Sequence, residues 1–373
     1  MPLSFCLETG LKNCWDVVII GAGPAGAMAA YETARRNFSV LLIDKARFPR
    51  NKVCGCCVSS RALKALKAAG LLQALEDLNP PRLSRFKLGF KKQSVDLPLQ
   101  GGISVSREKL DMLLINQAVQ AGAHFLPGVH AAVETCTKDY RLVRLNEAVR
   151  STRIQARVIL MGAGIQTEGL TGEASLQPRI APDSRMGLGA KLEEAPSFYQ
   201  PGTIYMAVGK EGYVGMVRVE DGSLNLAAAL TPNSNFHPLL SRIIESAGFP
   251  QIPGLANVRW RGTPLLTRKP GKVASERVLL IGDSAGYAEP FTGEGIGWAI
   301  ESGLAAASLV ESAAPLWRPS LEKEWMNTYH RLVSRRQTLC RMLTLGLRQN
   351  FLLNLGMKIL SHRPEFALPW STF

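Results

Sequence analysis

The sequence predicts a three-layer α/β fold with an antiparallel sheet inserted into it and a helical C-terminal tail. Three observations carry this expectation. A short apolar run, Asp16-Val-Val-Ile-Ile20, leads into the glycine-rich turn Gly21-Ala-Gly-Pro-Ala-Gly26. A second run, Arg277-Val-Leu-Leu-Ile281, leads into Gly282-Asp283 far downstream. Between them, residues 185–258 contain stretches that alternate apolar and polar side chains, the pattern of a sheet with one covered face.

The first run has the branched apolar composition of a strand buried on both faces. Gly21 permits a tight turn, Gly23 lets the backbone approach a pyrophosphate, and Gly26 lets the following helix pack close to the strand. Pro24 and Ala25 open that helix, whose free N–H groups and partial positive charge suit phosphates. A second strand, Val40-Leu-Leu-Ile-Asp44, ends in a carboxylate eighteen residues after Gly26, positioned to accept both hydroxyls of an adenosine ribose. This unit is a Rossmann-like dinucleotide pocket, and by itself it does not separate FAD from NAD.

The distal segment narrows the choice to FAD. Asp283 follows a buried strand and can hydrogen-bond a ribityl hydroxyl. Residues 285–290 read as a loop, and Gly293-Glu-Gly295-Ile296-Gly297 opens a helix towards Ala307. Glycines there let backbone lie against a flat ring, and the helix N-terminus can stabilise negative charge on a reduced flavin.

Composition bounds the rest. At 373 residues, 46% hydrophobic and 20% charged, the chain is globular and long enough for two or three domains. No linker breaks it, so the second domain is expected as an insertion. The formal charge of +14 points to anionic partners, but no nucleic-acid module accompanies it, and nucleic acid is not expected as a partner. Seven irregularly spaced cysteines give no disulfide framework and fit a reducing, cytoplasmic compartment. Residues 1–15 lack the apolar core of a signal peptide, and no transmembrane run of about 18 uncharged residues is present. None of the five histidines stands at ligand spacing to the cysteine cluster, so no metal is expected.

With these motifs the chain resembles the FAD-dependent oxidoreductases built on the p-hydroxybenzoate hydroxylase fold, and within them most the geranylgeranyl reductase family. The resemblance rests on the Gly21/Gly23/Gly26 set with Asp44, and on Phe48-Pro-Arg50-Asn-Lys52-Val-Cys54-Gly55. It rests also on Ser106-Arg107-Glu-Lys-Leu110-Asp111, and on Gly282-Asp283-Ser-Ala-Gly286 with Pro290 and Gly293-Glu-Gly295-Ile296. It spans residues 15 to about 310. It implies an FAD-binding domain over 12–82, 101–178 and 271–313, a substrate domain over 83–100 and 179–270, and C-terminal helices over 314–373. It implies cofactor contacts from Asp44, Lys45, Lys52, Arg107, Gly282, Asp283, Gly293, Gly295 and Ile296. It implies Cys54 beside the flavin ring, the loop from Pro290 to Gly295 over it, and NAD(P)H as a transient electron donor.

The loop Lys52-Val-Cys54-Gly-Cys-Cys57 is expected to hold a thiol whose anion is favoured by Arg50 and Lys52. Where relatives continue Cys-Gly with glycines, this chain has Cys56 and Cys57. Where they carry Tyr-x-Trp-x-Phe-Pro, it has Tyr213-Val-Gly-Met-Val-Arg218, so the substrate's shape does not transfer. Glu220-Asp-Gly222 marks a hairpin between two strands of the inserted sheet. From Pro319 onward arginines interleave with leucines. Packing of the leucines on the domain with the arginines in water is preferred, and contact with an anionic membrane is the other reading. The expected activity is hydride transfer from NAD(P)H through FAD to an unsaturated hydrophobic substrate. The alternatives are an FAD-dependent monooxygenase and a flavin-binding protein without turnover.

Overall fold

The computed structural model describes residues 13–147, 150–166, 169–170, 173–232, 235–289 and 291–363. Two large sheets organise them. The first, of eight strands, has the spine Ala274–Ser275, Val278–Leu280, Arg150–Met161, Cys14–Ile20, Val40–Asp44 and His124–Pro127. From Val278–Leu280 to His124–Pro127 every junction is parallel. His130–Cys136 and Arg141–Glu147 hang on the long strand Arg150–Met161 as an antiparallel ribbon. Val17, Val18 and Ile19 are fully buried between Val158–Leu160 and Val40–Leu42, as a strand covered on both faces must be. This is the Rossmann-like core.

The helix Pro24–Arg35 leaves the first strand and packs against Gly295–Ala313, which runs six residues beyond Ala307. Their approach is close: a Cβ at Gly303 would lie 2.2 Å from the Ala25 carbonyl oxygen. The helix Arg107–Gln120 packs on the same first helix.

The second sheet has seven strands in the order Arg261–Leu265, Met186–Leu192, Leu224–Leu230, Gly212–Arg218, Thr203–Gly209, Arg85–Phe90 and Gln93–Pro98. Its junctions are antiparallel apart from one. Thr203–Gly209 and Arg85–Phe90 run parallel, because they reach the sheet from distant parts of the chain and no hairpin sets their direction. The helix Phe236–Ser246 covers one face with Leu239, Leu240, Ile243 and Ile244. The other face carries Leu88, Met206, Val208 and Tyr213 and meets Leu353 and Met357 of the tail.

The tail is Ser320–Tyr329, a single π turn over His330–Ser334, then Arg335–Gly346 and Asn350–His362. The indole N–H of Trp325 donates to the Leu280 carbonyl at 3.1 Å, fixing the first of these helices to the parallel sheet.

The preferred reading of the tail holds for Leu332 and Leu347, which pack on the domain, and for exposed Arg331 and Arg335, but not for three other arginines. Arg336, Arg341 and Arg348 turn inward rather than to water. Arg348 meets Asp183 at 2.8 Å and Glu289 at 3.1 Å, Arg341 also meets Asp183, and Arg336 lies 3.6 Å from Glu294. Glu289 and Glu294 are buried, so they require cationic partners, and the tail supplies them. Leu339, Met342 and Leu345 face outward instead.

Candidate active site

The glycine turn has the geometry its residues dictate. Gly21 takes φ +105°, and a Cβ there would stand 2.2 Å from the Gly162 carbonyl oxygen. A Cβ at Gly26 would stand 1.8 Å from the Gly21 carbonyl oxygen, so Gly26 closes the turn from behind and does not face the cavity. Gly23 precedes the helix in extended conformation. Above its vacant Cβ position lie the guanidinium nitrogens of Arg107 at 3.5 Å and Arg50 at 3.8 Å. Helix N–H groups from below and two guanidiniums from above make a slot suited to a pyrophosphate.

Asp44 is buried and bridges this turn. Its Oδ2 accepts from the Ala22 N–H and its Oδ1 from the Ala46 N–H, both at 2.8 Å, with Arg50 at 3.5 Å. With Gly21 and Lys45 it lines a cavity of about 320 Å³. Lys45 reaches the Gln166 carboxamide at 3.1 Å.

Arg107 is buried, not a solvated surface side chain. Its Nε and Nη2 donate to the two carboxylate oxygens of fully buried Asp111, each at 2.8 Å. Burial opposes the charge on Arg107, but Asp111 and the Cys54 sulfur outweigh it and hold the guanidinium protonated. Ser106 caps the helix, accepting from the Lys109 N–H at 3.3 Å, and its hydroxyl donates to Glu220 at 2.6 Å. That contact ties Arg107 to the hairpin of the second sheet.

The cysteine loop spans the two sheets. The Asn225 amide donates to the Cys54 carbonyl at 2.9 Å, and Cys56 sits at φ +57°, left-handed for a side chain. This turns the Cys56 N–H onto the Cys54 sulfur at 3.4 Å. A hydrogen bond from the Cys56 thiol, then the Arg107 charge, hold the Cys54 thiol well below the ordinary thiol range. The expectation had assigned that effect to Arg50 and Lys52. Cys56 is pushed up by the same hydrogen bond and by burial, and Cys57 is raised to about 12 by burial. Lys52 is lowered by burial and then by Arg107.

At the distal end, Gly282–Ala285 form a short helical turn where the strand was expected to pass straight into a loop. Burial raises the Asp283 carboxyl, and among the described residues its side chain has no hydrogen-bond partner. Gly293 takes φ +75°, and a Cβ at Gly295 would meet open space. One cavity brings the two ends together: Gly23, Pro24 and Ala25 line it from the first turn, Lys52, Cys54 and Arg107 from the side. Gly282, Asp283, Gly293, Gly295 and Ile296 line it from the distal segment. Pro290 lies outside the described residues. The open glycine cradle, the paired guanidiniums and the unpartnered Asp283 carboxylate fit FAD lying extended between these ends.

Two further cavities open off the central one. A polar one of about 250 Å³ reaches Lys52, Cys54 and Arg107 and opens past Lys191, Arg259 and Arg261. Its acidic residue, Glu108, lies 3.8 Å from Lys191, which also pairs with Asp221. Arg259 and Arg261 have no carboxylate partner among the described residues. An apolar one of about 480 Å³ shares Phe86, Ile204, Phe291 and Thr292 with the central cavity. The tail roofs it with Leu343, Leu347 and Met357. Sequence reasoning missed both, because their walls come from segments that separately read as plain strand or helix.

The family profile described as FAD binding domain matches residues 15–158. Among curated relatives, the menaquinone reductase of Mycobacterium tuberculosis is 28% identical, covering 93% of this chain and 91% of its own. The digeranylgeranylglycerophospholipid reductase of Methanosarcina acetivorans is 25% identical over 84% of this chain and 79% of its own. Among solved structures, the geranylgeranyl bacteriochlorophyll reductase-like protein of Thermoplasma acidophilum superposes with a TM-score of 0.77 at 19% identity, covering 94% of this chain and 92% of that one. Motifs, fold and relatives converge: the chain is an FAD-dependent oxidoreductase, similar to the menaquinone and digeranylgeranylglycerophospholipid reductases.

Proposed function

We propose that this enzyme takes a hydride from NADH or NADPH, by way of FAD, and delivers it to a carbon–carbon double bond of a long, isoprenoid-type apolar substrate. The observation that carries the reading is the pair of unlike cavities that open off the central one, a cationic one past Lys52, Cys54 and Arg107 and an apolar one past Phe86 and Phe291. A dinucleotide carries two or more phosphate charges, and an isoprenoid chain carries none. The relatives' names, menaquinone reductase and digeranylgeranylglycerophospholipid reductase, support the substrate class.

Bound between the two motifs, FAD supplies the capacity to accept a hydride from one molecule and pass it to another, which no side chain here possesses. The chain's residues do the rest. Arg107 and the N-terminus of Pro24–Arg35 hold the pyrophosphate, Asp44 the adenosine ribose, and Asp283 the polyol between them. The N-terminus of Gly295–Ala313 offers a partial positive charge to the ring. Phe86, Phe291 and Ile204 keep water from the apolar side. Reduction of a double bond consumes one hydride and one proton, leaving oxidised nicotinamide and a saturated bond. Cys54 and Cys56 share a hydrogen-bonded proton at the cavity wall, and we assign its delivery to the carbon that does not take the hydride.

The test is anaerobic mixing of FAD-loaded protein with each nicotinamide, followed by a polyprenyl substrate. Bleaching of the flavin absorbance, then its return with a product two hydrogens heavier, is expected. A flavin that neither nicotinamide bleaches, or, in a parallel run in air, a hydroxylated product formed with stoichiometric oxygen uptake, would overturn the reading.

A further inference from the structure

We infer that the tail seats this protein on an anionic lipid surface, with the apolar cavity opening to the membrane instead of to water. This rests on the reading that the substrate is a long apolar molecule. Among the described residues, seven of the ten exposed large apolar side chains fall between Leu339 and Ile359, with Phe351 at 75% and Met342 at 56% exposure. So dense an apolar surface marks an interaction face.

The helix orientation selects the partner. A tail helix built for water would bury its leucines and present its arginines. Here Arg336, Arg341 and Arg348 are spent on Glu294, Asp183 and Glu289, and Leu339, Met342 and Leu345 are turned out. Cations remain around the rim: exposed Arg335 stands one turn from Leu339, and exposed Lys358 stands between Leu355 and Ile359. No aspartate or glutamate occurs between Glu324 and Arg363. An apolar face on helices that carry cations and no carboxylate complements anionic headgroups over acyl chains.

The face is also continuous with the site. Leu339, Met342 and Leu352 are exposed on the outside and line the apolar cavity on the inside. No described helix is long and apolar enough to cross a membrane, so the tail lies along the surface. A substrate dissolved in the bilayer then reaches the central cavity through Phe86 and Phe291 without crossing water.

The experiment is flotation of the FAD-loaded full chain with phosphatidylcholine vesicles and with vesicles containing about a third phosphatidylglycerol. Binding to the anionic vesicles, weakened by salt, is expected. The triple variant Phe351→Ser, Leu355→Ser, Ile359→Ser should lower that binding about a hundredfold. Those side chains do not line the cavity, so reduction of a short, water-soluble polyprenyl analogue should be unchanged. A milder pair, Arg335→Glu with Lys358→Glu, should weaken binding to anionic vesicles alone. Wild-type protein that floats with neither vesicle overturns the inference. So does a dimer in solution that the triple variant splits into monomers, because a second copy then covers the face. Either result leaves flavin bleaching by a nicotinamide intact. Conversely, flotation by a protein whose flavin resists every nicotinamide would sink the proposed chemistry and leave the docking standing.

Discussion

The polar and the apolar cavity both open off the central one and have no lining residue in common. One is ringed by Lys52, Arg107, Lys191, Arg259 and Arg261, the other by Phe86, Leu97, Leu343 and Met357. Their difference teaches how one cofactor can serve two partners that dissolve in different phases. On the proposed reading, charge collects on the side where a water-soluble donor is attracted, and it is excluded from the side where any fixed charge would have to be desolvated. The Cys54 loop, held by Asn225, walls the polar and the central cavities.

The contrast can be broken most severely at Arg107. Arg107→Ala leaves Asp111 buried with only the more distant Arg50 at 3.6 Å, and should cost about 3–5 kcal/mol of stability with loss of bound FAD. Urea unfolding followed by flavin fluorescence would show it, and Arg107→Lys should recover part of the stability but not the bidentate geometry. Next comes the apolar side. A Cβ at Gly356 would meet nothing within 4 Å, so Gly356→Phe fills that cavity without clash. It should lower kcat/KM for a long-chain substrate about a hundredfold while sparing a short one. Equal loss for both lengths would show that the chain does not lie there.

A smaller effect is expected at the cationic mouth. Arg259→Glu with Arg261→Glu should raise KM for the nicotinamide donor about tenfold with kcat nearly unchanged, and should flatten its salt dependence. Titration of the same variant with ADP-ribose, read calorimetrically, checks binding without turnover. The smallest effect belongs to the Cys54 loop. Cys54→Ala should keep its FAD and lose about tenfold in turnover, since Cys56 remains nearby as a proton source. Because the Cys54 thiol is held down, its anion persists as pH falls. Alkylation of Cys54 should therefore stay fast below pH 8, where an ordinary thiol slows about tenfold per unit, while Cys57 stays unreactive. Normal turnover in the alanine variant would return Cys54 to a packing role.

What the sequence made legible was local. The Gly21–Gly26 turn, Asp44 and the Gly282–Asp283 pair each stand at or just past the end of an apolar strand, so spacing alone exposes them. Arg107 and Asp111 are also neighbours, one helical turn apart. The rest depended on partners remote in the chain. The direction of Arg341 and Arg348 was decided by Asp183 and Glu289, some 160 and 60 positions away, and helical periodicity carries no trace of either. The parallel pairing of Arg85–Phe90 with Thr203–Gly209 was hidden for the same reason. The lowered Cys54 thiol needed the left-handed turn at Cys56 to be seen first.

One carboxylate makes the last helices indispensable. Glu289 receives Arg185 at 3.0 Å from the seven-stranded sheet and Arg348 at 3.1 Å from the tail, and it has no exposure of its own. Cutting the chain after residue 319 would strip away half of its neutralising company, at a carboxylate solvent does not reach. Shortened versions made for crystallisation or expression should therefore misbehave as whole proteins, not merely lose an appendage.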